Sequence, residues 1–122
     1  MHYILVNQQA VPCDDVSKWA LWYSTADCVV AEEWIFDVRV STIFLGLNRG
    51  GSGAPILFET MVFLDGQSGE ADCYALWEDA EAGHRALVLL IRTEMVSSAV
   101  TASVAWNRIA SRLNGEGKHS PQ

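Results

Sequence analysis

The chain has little of what most directly betrays an activity. Its three cysteines, Cys13, Cys28 and Cys73, are widely spaced and form no C-x-x-C pair, so neither a redox nor a zinc motif is present. They read as small buried residues of a protein kept in a reducing compartment. His2, His84 and His119 are equally scattered, and with no Cys or His at ligand spacing from another, no metal and no cofactor are expected. The longest apolar stretch, Ala86–Ile91, is far too short to cross a bilayer. The opening residues, Met1-His2-Tyr3-Ile4-Leu5-Val6-Asn7, show neither a basic leader nor an apolar run of signal-peptide length. No membrane association is expected, and a soluble protein of the cytoplasm is.

Nucleophile and phosphate motifs are missing too. Ser17, Ser24, Ser41 and Ser52 lack the context of a nucleophile elbow. The loop Gly50-Gly51-Ser52-Gly53 has no lysine, and a strand follows where a phosphate-binding loop needs a helix. It reads as a hairpin connection.

What is present is enough to fold. A chain of 122 residues fits one domain that buries roughly two thirds of its unfolded surface. Half of the residues are hydrophobic and 19% are charged, far from the composition of disordered chains. The net charge of -7 is unevenly spread: residues 1–84 set thirteen carboxylates against Lys18, Arg39 and Arg49, giving -10, and residues 85–122 give +3. An acidic body repels phosphates, so direct nucleic-acid binding is not expected, while a basic partner surface suits it.

Hydrophobic periodicity divides the chain into an α+β fold: an antiparallel sheet of three to five strands, two main helices packed on one face, and a C-terminal helical extension. Tyr3–Val6 reads as a strand, with a hairpin reaching Val11. Asp14 or Asp15 caps a helix to about Ala26 that should lay Val16, Trp19, Ala20 and Tyr23 on the sheet. Strands are expected over 28–35, 38–47 and 55–64, hinged at Phe36-Asp37, with a turn at 65–69 and a last short strand over 71–75. Alternation places Val38, Val40, Thr42 and Phe44 on the helix-covered face, and Asp37, Arg39, Ser41 and Ile43 on the other. Glu78, Asp79 and Glu81 open a second helix that runs at least to Arg92. Val96, Val100 and Val104, extended by Ile109 and Leu113, mark a third helix that Asn114-Gly115 should stop, with a disordered tail from Gly117. The division expected is 1–92 for the α+β domain and 93–122 for the C-terminal helix and tail.

Three segments carry a resemblance: Asp37-Val38-Arg39-Val40-Ser41-Thr42-Ile43-Phe44-Leu45-Gly46-Leu47, Leu57-Phe58-Glu59-Thr60-Met61-Val62-Phe63, and Trp77-Glu78-Asp79-Ala80-Glu81-Ala82-Gly83-His84. Together with the opening Val11-Pro12-Cys13-Asp14-Asp15, they are similar to a family of small uncharacterised phage and prophage proteins. The resemblance covers about residues 1–92. The glycine loop departs from the family by lacking an acidic residue and a histidine, and the segment after Thr93 has no counterpart there. The family implies a setting and no activity.

The function expected from these features is a non-enzymatic phage protein acting in the host cytoplasm. It binds and inhibits a host defence complex in the manner of an anti-CRISPR, by occupying a basic nucleic-acid-binding surface. Asp14, Asp15, Glu32, Glu33, Glu70 and Asp72 are the candidate partner-binding carboxylates. One alternative is a small acid-base enzyme using Asp37, Glu59 and His84. Another is a homodimeric accessory protein joined through the C-terminal helix by Val96, Val100 and Val104. Trp19, Trp22, Trp34, Trp77 and Trp106 are expected mostly in the core.

Overall fold

The computed structural model describes residues 1–118. β1 (Tyr3–Val6) and β2 (Gln9–Pro12) form a two-stranded ribbon. Asn7 and Gln8 close it, both with positive φ, which matches the twist of the flanking strands. α1 (Val16–Thr25) follows, capped by Asp15, whose carboxylate accepts from the amides of Ser17 (3.0 Å) and Lys18 (3.2 Å). No residue of α1 is fully buried. Trp19, Trp22 and Tyr23 are half-buried, whereas Val16 and Ala20, expected against the sheet, face solvent. The helix rests on an aromatic ridge instead. The indole N–H of Trp19 is shared between the carbonyls of Tyr3 (3.0 Å) and Gly46 (3.1 Å), and Trp22 meets Phe44 edge-on with centroids 6.0 Å apart. Gly46 has φ +76°, and a Cβ there would stand 2.7 Å from the Tyr23 ring, so glycine is required on both counts.

A four-stranded antiparallel meander forms the body: β3 (Val29–Ile35), β4 (Val38–Phe44), β5 (Phe58–Leu64) and β6 (Gln67–Tyr74), in that spatial order. The long β4–β5 connection is pinned at its neck, where the Asn48 side chain accepts from the amides of Gly50 (2.8 Å) and Ile56 (2.9 Å). Pairing therefore starts at Phe58 rather than at Pro55. Asp65 and Gly66 both have positive φ and close a two-residue turn. β6 accordingly begins at Gln67 and is longer than the strand expected over 71–75. Its polar start belongs to an edge strand.

α2 (Trp77–Ser98) and α3 (Ala102–Lys118) cover the inner face and meet at 112°. Ala99, in the left-handed region at φ 54°, ends α2, and the hydroxyl of Thr101 starts α3 by accepting from the Val104 amide (3.3 Å). This break corrects the valine stripe: Val96 belongs to α2, Val100 to the link and Val104 to α3. Asn114-Gly115 does not stop α3, which runs to Lys118. Of the tail expected from Gly117, residues 119–122 lie outside the described residues. No single helix among the described residues is long and apolar enough to cross a membrane.

The core has two apolar halves. Ile35, Val38, Val40 and Val62 meet Val88 and Ile91 of α2 and Ala102, Ala105, Trp106 and Ile109 of α3. Phe44, Leu57, Phe58 and Ala80 form the second cluster, beside Trp22 and Trp77. Between them lies a belt of buried polar side chains, Thr42, Thr60 and His84.

Candidate interaction surface

The alternation of β4 sends Val38, Val40, Thr42 and Phe44 inward, all fully buried, as the sequence pattern predicts. Its other face pairs Arg39 with Trp34 and Phe63, Ser41 with Glu32 and Met61, and Ile43 with Glu59. Glu59 in turn stands beside Cys73, and Met61 beside Glu70. None of these outer-face residues belongs to either core cluster. Ser41, expected to be wetted, is buried among these neighbours.

Two groupings occupy the outer face. Near the β3–β4 turn, the Arg39 guanidinium lies 4.1 Å from the centroid of the Phe63 ring and 6.0 Å from that of Trp34, within reach of cation–π attraction. Arg39 also pairs with Glu32 at 2.7 Å. Trp34 is 60% exposed, the tryptophan that departs from the expected core placement. The only sequence cue was its position two residues before a turn, in register with Arg39.

Toward the other end, Arg49 pairs with Glu59 and, at 3.2 Å, with Glu70. Glu59 is only 8% exposed, and burial raises its pKa, while hydrogen bonding to Glu59 lowers that of Glu70. Burial and the neighbouring carboxylates push the Cys73 thiol up to about 11. Ligand atoms of Glu59, Glu70 and Cys73 lie within 4.8 Å of one another, so these three residues could hold a metal ion. Arg49 already compensates the two carboxylates, and Cys73 would have to lose a tightly held proton. The proximity of Glu59, Glu70 and Cys73 is set by strand register and was not read from sequence.

The inner belt is a hydrogen-bonded chain. The Thr60 hydroxyl donates to Tyr74 (3.3 Å), Thr42 and Thr60 are 2.6 Å apart, and Thr42 is 2.9 Å from Nδ1 of His84. Each hydroxyl has one proton, so Thr42 donates to Thr60, and Nδ1 of His84 must carry the proton given to Thr42. Burial lowers the His84 pKa; Glu33 raises it less, and Arg85 adds a smaller lowering. Tyr74 fits because α2 has glycine at position 83, where a Cβ would come within 2.3 Å of its hydroxyl.

The three residues of the acid-base alternative are not brought together. His84 faces the inner belt, Glu59 lies on the opposite side of the sheet beside Arg49, and Asp37 lies in the β3–β4 turn. The candidate carboxylates are also dispersed. Glu32 and Glu33 lie on β3 and Glu70 and Asp72 on β6, the two edges of the sheet, while Asp14 and Asp15 precede α1. Glu33 pairs with Arg92 at 2.7 Å, and Asp72 accepts from the Cys73 amide at 2.9 Å.

Ion pairing divides by residue type. Arg39, Arg49, Arg85, Arg92, Arg108 and Arg112 each meet a glutamate. Among the described residues, no aspartate is paired with a cation, and neither is Glu78. The three cysteines are free and half-buried. No family model matches the chain, and no match was found among the curated proteins or the solved structures.

Proposed function

We propose that this chain is a non-enzymatic binding protein whose acidic surface docks on a basic protein surface. We take the partner to be a nucleic-acid-handling defence complex of a bacterial host, in keeping with the resemblance to phage proteins. The observation that carries the reading is the division of charge: every arginine pairs with a glutamate, Arg108 and Arg112 sharing Glu94, and among the described residues no aspartate is paired with a cation. The field presented to a partner is thus acidic although arginines are distributed around the sheet and helices. The separation of Asp37, Glu59 and His84 also favours binding over acid-base chemistry.

Of the candidate carboxylates, Glu32, Glu33 and Glu70 are held by arginines, so reversing them would also orphan Arg39 and Arg92 and leave Arg49 with Glu59 alone. Among the described residues Asp14 and Asp72 form no such pair, and Asp15→Asn retains a helix cap. The test is capture from lysate of a CRISPR-bearing host, comparing the wild-type chain with the variant D14K/D15N/D72K at low and moderate salt. Loss of a captured nucleic-acid-binding complex in the variant, and in the wild type as salt rises, is the expected result. Equal capture by the two proteins would sink the reading.

A second reading, a homodimer, draws on the outer side of α2, where Leu89 is 65% and Val96 84% exposed. It requires doubled mass in sedimentation, reduced to a single chain by Leu89→Lys with Val96→Lys. A single-chain mass at high concentration would remove it.

A further inference from the structure

We infer that the groove beside the β3–β4 turn receives an extended basic segment of a partner protein, with an arginine laying its stem on Phe36 and Met95 and its charge against Asp37. The inference rests on the acidic-surface reading above and gives it a location. Its starting point is a conflict between local preference and sequence. Phe36 has φ +56°, a conformation a bulky side chain rarely adopts, at a turn position where glycine or asparagine is ordinarily found. The two-residue turn between β5 and β6, at the same end of the sheet, uses Asp65 and Gly66, both at positive φ. Phe36 gains no burial in exchange, being 81% exposed. A residue that strains the backbone and leaves an aromatic ring in water is explained by a contact outside the chain.

The surroundings define that contact. Phe36 and Asp37 line a groove of about 380 Å³ with Met95, Thr101, Ala102 and Ser103, small for a ligand cleft and suited to one or two side chains. Its apolar wall fits an aliphatic stem. Asp37 is exposed and has no cationic partner among the described residues, and the arginine two residues on, Arg39, is committed to Glu32. Asp65 lies in the turn at the same end of the antiparallel sheet. The one charged side chain lining the groove is the Asp37 carboxylate, which is complementary to a guanidinium.

The probe is a short fluorescein-labelled peptide of alternating arginine and leucine, with a glutamate-for-arginine counterpart, read by anisotropy and by the Met95 methyl resonance. The arginine peptide is expected to bind, shift the Met95 methyl and weaken with salt; the glutamate peptide is not. Phe36→Gly should weaken binding at least about tenfold while raising Tm by roughly 4 °C, because glycine relieves the turn. Asp37→Asn should weaken binding and flatten its salt dependence. If the arginine peptide binds F36G and D37N as tightly as wild type, or leaves the Met95 methyl unmoved, the groove is overturned while the acidic-surface reading still stands on its lysate test. Failure of the arginine peptide to bind wild type at low salt overturns the groove as well.

Discussion

At the scale of single residues, the most consequential side chain is His84, because it is buried between two apolar clusters and still hydrogen-bonded. Its pKa lies below the ordinary value of 6.5 through burial. Above that value both folded and unfolded chains hold a neutral ring. As pH falls below it, the unfolded chain takes up a proton that the folded chain resists, so the unfolded state binds more protons and stability declines. Denaturant melts between pH 7 and 5.5 should show this loss, and His84→Gln should flatten the curve. Parallel curves for the two proteins would show that His84 does not govern the decline. Gly83 gives a complementary check on the same belt. Gly83→Ala drives a methyl group into the Tyr74 ring, and overpacking of this kind costs about 1–3 kcal/mol. Urea melts should reveal that loss, with Tyr74 displaced from Thr60; an unchanged midpoint would show that α2 can shift to make room.

At the scale of elements, the edge strands explain why so many carboxylates gather on β3 and β6. An edge strand presents unpaired amides and carbonyls that invite another strand, and charges or bulges prevent it. β3 carries Glu32 and Glu33 with an irregularity between Val29 and Ala31, and β6 carries Glu70 and Asp72 with one opposite Thr60 and Met61. Glu70→Val combined with Asp72→Val should therefore produce concentration-dependent association in sedimentation velocity without loss of the strand signal. If that variant remains as monodisperse as wild type, the bulge alone guards the edge. This placement also shows what the sequence could convey. Alternation in β4 identified its inner face because one side meets helices and the other does not. The elements around Asp65-Gly66 and Asp15 were legible from turn and cap chemistry, and the hinge at Phe36-Asp37 from the apolar runs on either side of it. The break between α2 and α3 was not, because Ala99 takes a left-handed conformation without glycine or asparagine to announce it. Nor were the exposure of Trp34 and the cluster of Glu59, Glu70, Cys73 and Arg49, which depend on strand register and on the path of a long connection.

For the whole molecule, the distribution of burial makes α3 a structural necessity as well as a continuation of the chain. Ala102, Ala105, Trp106 and Ile109 are buried against Ile35, Val38, Val40 and Val62 of the sheet and Val88 and Ile91 of α2. The inner face of the meander near the β3–β4 turn would be wet without them. Trp106→Ala removes the largest of these side chains and should cost about 3–5 kcal/mol, a large share of the 5–15 kcal/mol that holds a typical domain together. A chain ending at Ser98 loses all four and should show weakened cooperativity in thermal melts and exposed apolar surface in dye binding. It also loses Arg108 and Arg112, which share Glu94 at 3.5 and 3.3 Å, leaving the remaining body still more acidic. If the shortened chain instead unfolds cooperatively near the wild-type Tm, the sheet, α1 and α2 suffice by themselves, and the helix after Ala102 is free to serve a partner.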